Sequence, residues 1–454
     1  MDRKSPLRIA LVTLGCKANQ SDAASMAAEL LNQGHRIVPP SQAADVTIVH
    51  TCTVTQKTDY QSRQIIRRMA ARNPGGQVIV TGCYAQVSPE SLQTIPGVDY
   101  VVGMAERKQI PKIIGSKEKS RKAAVLLAPA EKQEGFEEGR PPHFADRTRA
   151  FLKVQDGCNS FCSYCIVPYA RGRNRSLPPE RVLFQARELA AQGFKEIVLT
   201  GIHLGTYGED LLPPPSLTTL LKSLEKENLG FRLRLSSIEP REFNPPLLDY
   251  LARSPWVCPH LHIPLQSGDD GILRRMNRNY SSGFFAELVN RLAQTIPDAA
   301  IGADVIGGFP GENDSAFQNT MALIETLPLT YLHVFPFSKR KGTPAATFSG
   351  QVPPRVIRAR CQALRELGEK KRDSFSRSFL GKNLKVLVEG KRDRESGLLK
   401  GFSANYIPVL LPGGEGLMNQ EVEVEVTEVR DRKAYGKTIL PQRSQRGKAA
   451  TKSD

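Results

Sequence analysis

Residues 151–176 read FLKVQDGCNSFCSYCIVPYARGRNRS, and this stretch decides how the rest of the chain is read. It opens on a strand pattern, Phe151–Gln155, and then places Cys158, Cys162 and Cys165 at x3 and x2 spacing. A loop after a parallel strand is where α/β barrels put their reacting groups. Three thiolates so close suit an iron–sulfur core, whose irons take cysteine sulfur; with three ligands instead of four, one iron stays open. The competing reading is zinc, completed by a distant histidine such as His203. The aromatic Tyr164 before the last cysteine favours the cluster.

Outward from that loop, short apolar runs alternate with helical patterns. Strands are expected at Glu196–Thr200, Phe231–Ser236, His260–Leu265, Ala300–Ile306 and Leu332–Phe337. Helices fall between them, near 180–192, 216–227, 245–253, 282–295 and 314–326, with a long one at 354–378. Six βα units predict a partial, TIM-like (β/α)6 barrel. A doubly wound open sheet is the alternative.

The N-terminal third repeats the alternation with its own cysteines. Arg8–Thr13, Val46–His50, Val78–Thr81 and Tyr100–Val102 read as strands, and Asp22–Leu31 and Thr58–Arg72 as helices. The expected fold is an open parallel α/β sheet. Cys16, Cys52 and Cys83 are far apart in sequence, yet each follows the carboxyl end of a strand. Those ends share one edge of a parallel sheet, the usual ligand edge. Three cysteines there predict a second metal cluster, with Gly15 and Gly82 allowing close backbone approach; three unrelated core thiols is the plainer reading. After residue 380, Leu384–Glu389, Tyr406–Leu411 and the alternating Glu421–Val429 predict a small β-barrel.

The expected division is therefore an N-terminal domain over 1–125, a barrel domain over 145–378, a β-barrel over 379–441 and a basic disordered tail over 442–454. Eight cysteines in 454 residues are too sparse for a disulfide scaffold. No apolar run reaches membrane-span length, and the run Ile9–Gly15 before Cys16, at strand length and the bottom of the signal-segment range, is expected to be a strand. A cytoplasmic protein without membrane association is expected. The net charge of +17 calls for a polyanionic partner.

The two cysteine sets together resemble the radical S-adenosylmethionine (SAM) methylthiotransferases, which end in an RNA-binding β-barrel called TRAM. TLGCKANQSD, EIVLTGIHLGTYG, RLSSIEP, HLHIPLQSG, DVIGGFPGE and HVFPFSKRKGTPAA are similar to the tRNA branch acting on threonylcarbamoyladenosine. Ala18 and Gly307 depart from that pattern, where valine is usual. Branches acting on isopentenyladenosine or on a ribosomal protein are the near alternatives, and a zinc-stabilised RNA-binding protein without catalysis the distant one. The resemblance implies two 4Fe–4S clusters: Cys158, Cys162 and Cys165 for the SAM-binding one, and Cys16, Cys52 and Cys83 for the sulfur-bearing one. It further implies methylthiolation of adenine carbon 2 and a reductant such as flavodoxin or ferredoxin.

SAM must lie along the barrel strand ends. The candidates there are Tyr164, Thr200, Gly201, Ser236, Ser237, Glu239, Gln266, Ser267, Asp304 and the turn 309–312. Phosphate contact is expected from Arg171, Arg173 and Arg175 and from Lys339, Arg340 and Lys341, with tRNA as partner. Tyr169, Tyr207 and Phe337 are stacking candidates. His50, His203, His260 and His262 are read as supporting residues, and Cys258 and Cys361 as spare thiols.

Overall fold

The computed structural model describes residues 5–116, 122–133, 135–137, 139–142 and 147–439. The tail expected at 442–454 lies outside the described residues. The chain divides into two compact units, Met1–Arg372 and Asp373–Asp454; the first holds both cysteine sets.

The N-terminal sheet has six parallel strands in the order β2-β1-β3-β4-β5-β6. They are β1 (Arg8–Thr13), β2 (Arg36–Val38), β3 (Val46–Thr51), β4 (Gln77–Gly82), β5 (Tyr100–Val102) and β6 (Ala124–Leu126). Register explains the cysteine placement. Thr13 pairs with His50, and His50 with Thr81, so three consecutive strands end level with one another. The two strands missed in sequence, β2 and β6, are three residues each at the sheet edges, too short to show a period. Strand β6 carries the sheet to the end of the expected N-terminal domain.

Helix α1 runs Lys17–Asn32, a turn and a half earlier than the expected start at Asp22. Its first turns bury Asn19, Ser21 and Asp22. Buried polar residues interrupt the apolar stripe from which a helix start is read. Helix α2 spans Gln56–Arg72, and the short α3 (Cys83–Val87) begins on the third cysteine.

The barrel strands are β7 (Ala150–Lys153), β10 (Glu196–Thr200), β11 (Arg232–Leu235), β12 (His260–His262), β13 (Ala300–Gly307) and β14 (Tyr331–Pro336). All neighbouring pairs are parallel. A bridge from Leu233 to Val257 and the Ile238 N–H donating to His262 O join the two halves. The strands follow chain order without the reversal of a doubly wound sheet, so the arc is a partial barrel. The expected strand Phe151–Gln155 splits. After β7, β8 (Gln155–Asp156) turns away and pairs antiparallel with β9 (Arg175–Ser176), closing the cysteine loop at its base. Ile197, Leu199, Leu233 and Leu235 pack into the apolar layer beneath the helices. Strand alternation then sends Glu196, Thr200, Arg234 and Ser236 into the lumen.

The second unit is a closed barrel of order β15-β16-β17-β19-β18. Its strands are β15 (Asn383–Arg392), β16 (Leu399–Ser403), β17 (Pro408–Leu411), β18 (Glu421–Arg430) and β19 (Lys433–Thr438). Val424 and Val426 are fully buried, as the alternation predicts. Closure leaves no free sheet edge.

Candidate active site

Cys16, Cys52 and Cys83 meet at the level ends of β1, β3 and β4. Cys16 caps the start of α1, and Gly15 before it has φ of 101°. A Cβ on Gly15 would lie 2.9 Å from Cys52 Sγ, and one on Gly82 only 2.3 Å from Thr51 O. Glycine is therefore what lets the three turns close on each other. Asn19 Nδ2 donates to Leu14 O and Thr51 O, at 2.8 and 3.1 Å, fixing the Cys16 and Cys52 turns together. Burial pushes the Cys52 thiol up to about 12, and Cys83 beside it adds to the rise. Cys83 is also raised by burial, against the pull of Arg171. Thiols so placed ionise only with a cation among them.

The second triad sits in the loop between β8 and β9. The Cys158 N–H donates to Gly172 O at 3.1 Å, and the Cys165 N–H to Cys162 O at 2.9 Å. A Cβ on Gly157 would fall 1.8 Å from Arg173 O, so the loop base admits only glycine there. Burial works to raise the Cys158 thiol; His203, with Nδ1 3.4 Å from its sulfur, outweighs it and holds the thiol below its ordinary value. His203 is itself paired with Glu242. Arg278 donates to Cys162 Sγ at 3.3 Å and pairs with Glu239. Burial pushes Cys165 up to about 12.

Neither triad has single-ion spacing. A tetrahedral zinc, with Zn–S near 2.3 Å, needs sulfurs about 3.8 Å apart. Among the described residues, the one set of three ligand atoms within 4.8 Å of one another is His262, Asp304 and His333. The thiols fit a larger inorganic core, and all eight cysteines are free.

One guanidinium joins the two triads. Arg171 ends the helix Val167–Arg171 that follows Cys165 and is almost wholly buried. It donates to Asp156 Oδ1 and Asn19 Oδ1, both at 2.6 Å, and to Asp22 Oδ2 at 2.9 Å. Lys153 pairs with both carboxylates, and Arg107 reaches Asp22 at 2.8 Å. Arg340 makes a second tie, donating to Asp59 Oδ2 at 2.7 Å and to Thr53 Oγ1, just past Cys52.

Residues 8–103 match the family model described as uncharacterized protein family UPF0004, and residues 152–324 the radical SAM superfamily. The threonylcarbamoyladenosine tRNA methylthiotransferase MtaB of Bacillus subtilis is 40% identical over 421 residues, which are 92% of this chain and 93% of that one. The chain belongs to the threonylcarbamoyladenosine tRNA methylthiotransferases. A tRNA-2-methylthio-N(6)-dimethylallyladenosine synthase of Pelotomaculum thermopropionicum is more distant, 34% identical over 92% of this chain and 95% of its own. The solved radical SAM methyltransferase TsrM of Kitasatospora setae covers 75% of this chain and 77% of its own at a TM-score of 0.56. At 16% identity that likeness is one of fold. As a radical SAM methylthiotransferase the protein uses 4Fe–4S clusters and SAM.

Three of the six basic side chains expected on phosphate are buried in the methylthiotransferase. Arg171, Arg175 and Arg340 are each at most 7% exposed and cannot lie on RNA. Arg175 donates to Arg171 O and Arg173 O within its own loop. Only Arg173, Lys339 and Lys341 of the six face solvent. Arg173 lies over the Phe161 ring at 5.1 Å, and Phe161 meets the exposed Tyr169 edge-on. Tyr207 is buried, its hydroxyl donating to Leu177 O, and is no stacking surface; Phe337 is half-buried and packs edge-on against Phe309. A charge run reads as surface until tertiary contacts supply its partners.

The other predicted positions lie in or just past the barrel strands. The Gly201 N–H faces Ser236 Oγ at 3.4 Å, and Gln155 Oε1 would sit 2.8 Å from a Cβ there. Ser237 Oγ bonds His262 Nδ1 at 2.6 Å; His262 Nε2 in turn lies 3.2 Å from Asp304 Oδ1. Burial opposes ionisation of Asp304, but His262 and His333 outweigh it and keep the carboxyl far below its usual range. Gln266 has φ of 65° and bridges to β13 through Asp304 O and Ile306 N. Thr200 and Ser267 are buried, and Tyr164 packs edge-on against Phe309. Gly307 is explained by packing, since a Cβ there would stand 2.8 Å from Cys361 Sγ. Sequence reasoning missed Asn19, Asp22, Lys153, Asp156 and Arg278. The one available signal was Asn19 and Asp22, three apart on a helix face shared with Ala18, Ala23 and other buried residues.

Proposed function

We propose that the protein adds a methylthio group to carbon 2 of threonylcarbamoyladenosine beside the tRNA anticodon. The observation carrying this reading is the pair of cysteine triads at adjoining strand ends, tied through Arg171. Cys158, Cys162 and Cys165 would hold the SAM-binding cluster, and Cys16, Cys52 and Cys83 the sulfur-bearing one. When bound, the first supplies the electron that cleaves SAM and the second the sulfur that is transferred. The chain's own groups bind and orient. His203 and Arg278 offset charge at Cys158 and Cys162. Thr200, Gly201, Ser236, Ser237, Glu239, Gln266 and Asp304 face SAM along the strand ends. Burial keeps water from Cys52, Cys83 and Cys162, whereas Cys16 is exposed.

Arg173, Lys339 and Lys341, with Tyr169, form the RNA-facing rim, and the TRAM-like barrel adds a second RNA contact. A low-potential flavodoxin or ferredoxin supplies electrons, and the protein works in the cytoplasm. No helix among the described residues is long and apolar enough to cross a membrane. Nucleoside analysis of tRNA from a deletion strain tests the assignment. Loss of methylthio-threonylcarbamoyladenosine alone is expected, and an unchanged profile refutes it. The purified protein should carry roughly eight irons, four per cluster.

Neutralising Arg173, Lys339 and Lys341 together should flatten the dependence of log affinity for tRNA on log salt by about 2, at about 0.7 per lost contact to single-stranded RNA. An unchanged slope in a salt titration would place the RNA elsewhere.

A further inference from the structure

Phe161 is a bulky residue in a backbone conformation that such residues avoid. Its φ is 44°, in the left-handed region that favours glycine. The turn at Met276 and Asn277 holds it there. Asn277 Nδ2 donates to Ser160 O at 3.3 Å and to Phe161 O at 3.1 Å, and the Ser163 N–H donates to Met276 O at 3.0 Å. Strain of this kind persists where neighbours over-determine it, and it gathers at functional positions. Glycine would give the cysteine loop the same path without strain. Phenylalanine adds a ring, and the ring has two partners. The Arg173 guanidinium carbon lies over it, 5.1 Å from the centroid, and Tyr169 meets it edge-on at 5.9 Å. Phe161 is half-buried, whereas Arg173 and Tyr169 are exposed. The backbone carrying Arg173 is fixed as well. Arg175 donates to Arg173 O at 3.1 Å, and the Asn174 N–H donates to Asn159 Oδ1 at 3.2 Å. An arginine already seated on a ring has less freedom left to lose on binding.

We propose that Arg173, backed by Phe161, is a stacking platform for the nucleobase next to the target adenine, with Tyr169 at its edge. This rests on the tRNA substrate reading above. To react at carbon 2 the target base must leave its stack, which strips the neighbouring base of a partner. Phe161 stands between Cys158 and Cys162, in the loop proposed to hold the SAM-binding cluster. The strand that delivers the target base to that centre must pass this loop. Aromatic faces and arginine guanidinium planes are the usual supports for unstacked RNA bases, and they accept any base because each has a π-face. A lysine would bring the same charge without the plane. The charge of Arg173 still counts in the salt dependence; its plane is what holds the base.

The test uses the full-length protein with both clusters reconstituted and three synthetic anticodon stem-loops carrying threonylcarbamoyladenosine. One is intact, one lacks the base on the 5′ side of the target, and one lacks the base on the 3′ side. Affinities are read by fluorescence anisotropy. The native enzyme should bind one of the two abasic loops roughly 5–150-fold more weakly than the intact loop, the range of one base stacked on an aromatic platform. Arg173→Lys should weaken the intact loop to the level of that abasic loop and keep the native salt slope, because the charge is retained. Phe161→Leu should likewise lose the discrimination while its iron content stays native. A native enzyme indifferent to both missing bases overturns the assignment. So does an Arg173→Lys protein that still discriminates, which would leave residue 173 a phosphate contact alone. If Phe161→Leu loses iron, the Arg173→Lys result decides. A native enzyme that binds the intact loop no tighter than an unrelated hairpin of equal length overturns the substrate reading instead, and is seen before any variant is made.

Discussion

Cys158→Ala is expected to form no 5′-deoxyadenosine from SAM under reducing conditions, whereas Cys16→Ala should still cleave SAM and yield no methylthio product. The two thiols stand on different elements with different surroundings. Cys158 lies in the loop closed by β8 and β9, with His203 3.4 Å from its sulfur. Cys16 caps α1 at the end of β1, across the Arg171 tie. Each variant should lose about four irons, the content of one cluster. The readouts are chromatographic assay of 5′-deoxyadenosine, nucleoside analysis of tRNA and iron determination. Full methylthio product from Cys16→Ala would end the division of roles.

Arg171→Met is expected to destabilise the first unit by about 3–5 kcal/mol, the usual cost of breaking a buried ion pair from one side. Asp22 and Asp156 would each lose a charged partner, and Asn19 Oδ1 its donor. Lys153 and Arg107 remain, which places the effect toward the lower figure. Thermal denaturation should show an earlier transition, and the salt dependence of tRNA binding should stay unchanged. The reverse outcome, native stability with a flatter salt dependence, would return Arg171 to the RNA surface. Burial opposes the ionisation of Asp22 and Asp156, and their cationic neighbours outweigh it, holding both carboxyls well below the usual range. Their contribution to stability is therefore complete above the unfolded value of about 3.9 and is lost as pH falls through the folded values.

The basic clusters show where reading by residue type stops. RGRNR and KRK are each a charge run, and a charge run normally faces water. In the fold they divide. Arg171 and Arg340 meet Asp22, Asp156 and Asp59, which lie at least one loop away and up to 281 residues distant. Among the described residues Arg173, Lys339 and Lys341 pair with no carboxylate, and they stay exposed. Nothing local distinguishes the two groups, because the distinction lies in the partner.

Most of the strands, a partial barrel, a small C-terminal β-barrel and the two cysteine triads follow from the sequence; the short strands β2, β6, β8 and β9 and the barrel strands β16 and β19 do not. Apolar period and strand-end position are local properties, and they survive folding unchanged. The sequence also carries the resemblance that leads to the methylthiotransferases. Only the tertiary structure decided that α1 starts on Cys16 and that Gly15 lets Cys52 close on it. It alone turned Arg171 from a phosphate ligand into the bridge between the triads. Each of these depends on which distant groups share a low-dielectric space, where a charge must find a partner or remain costly.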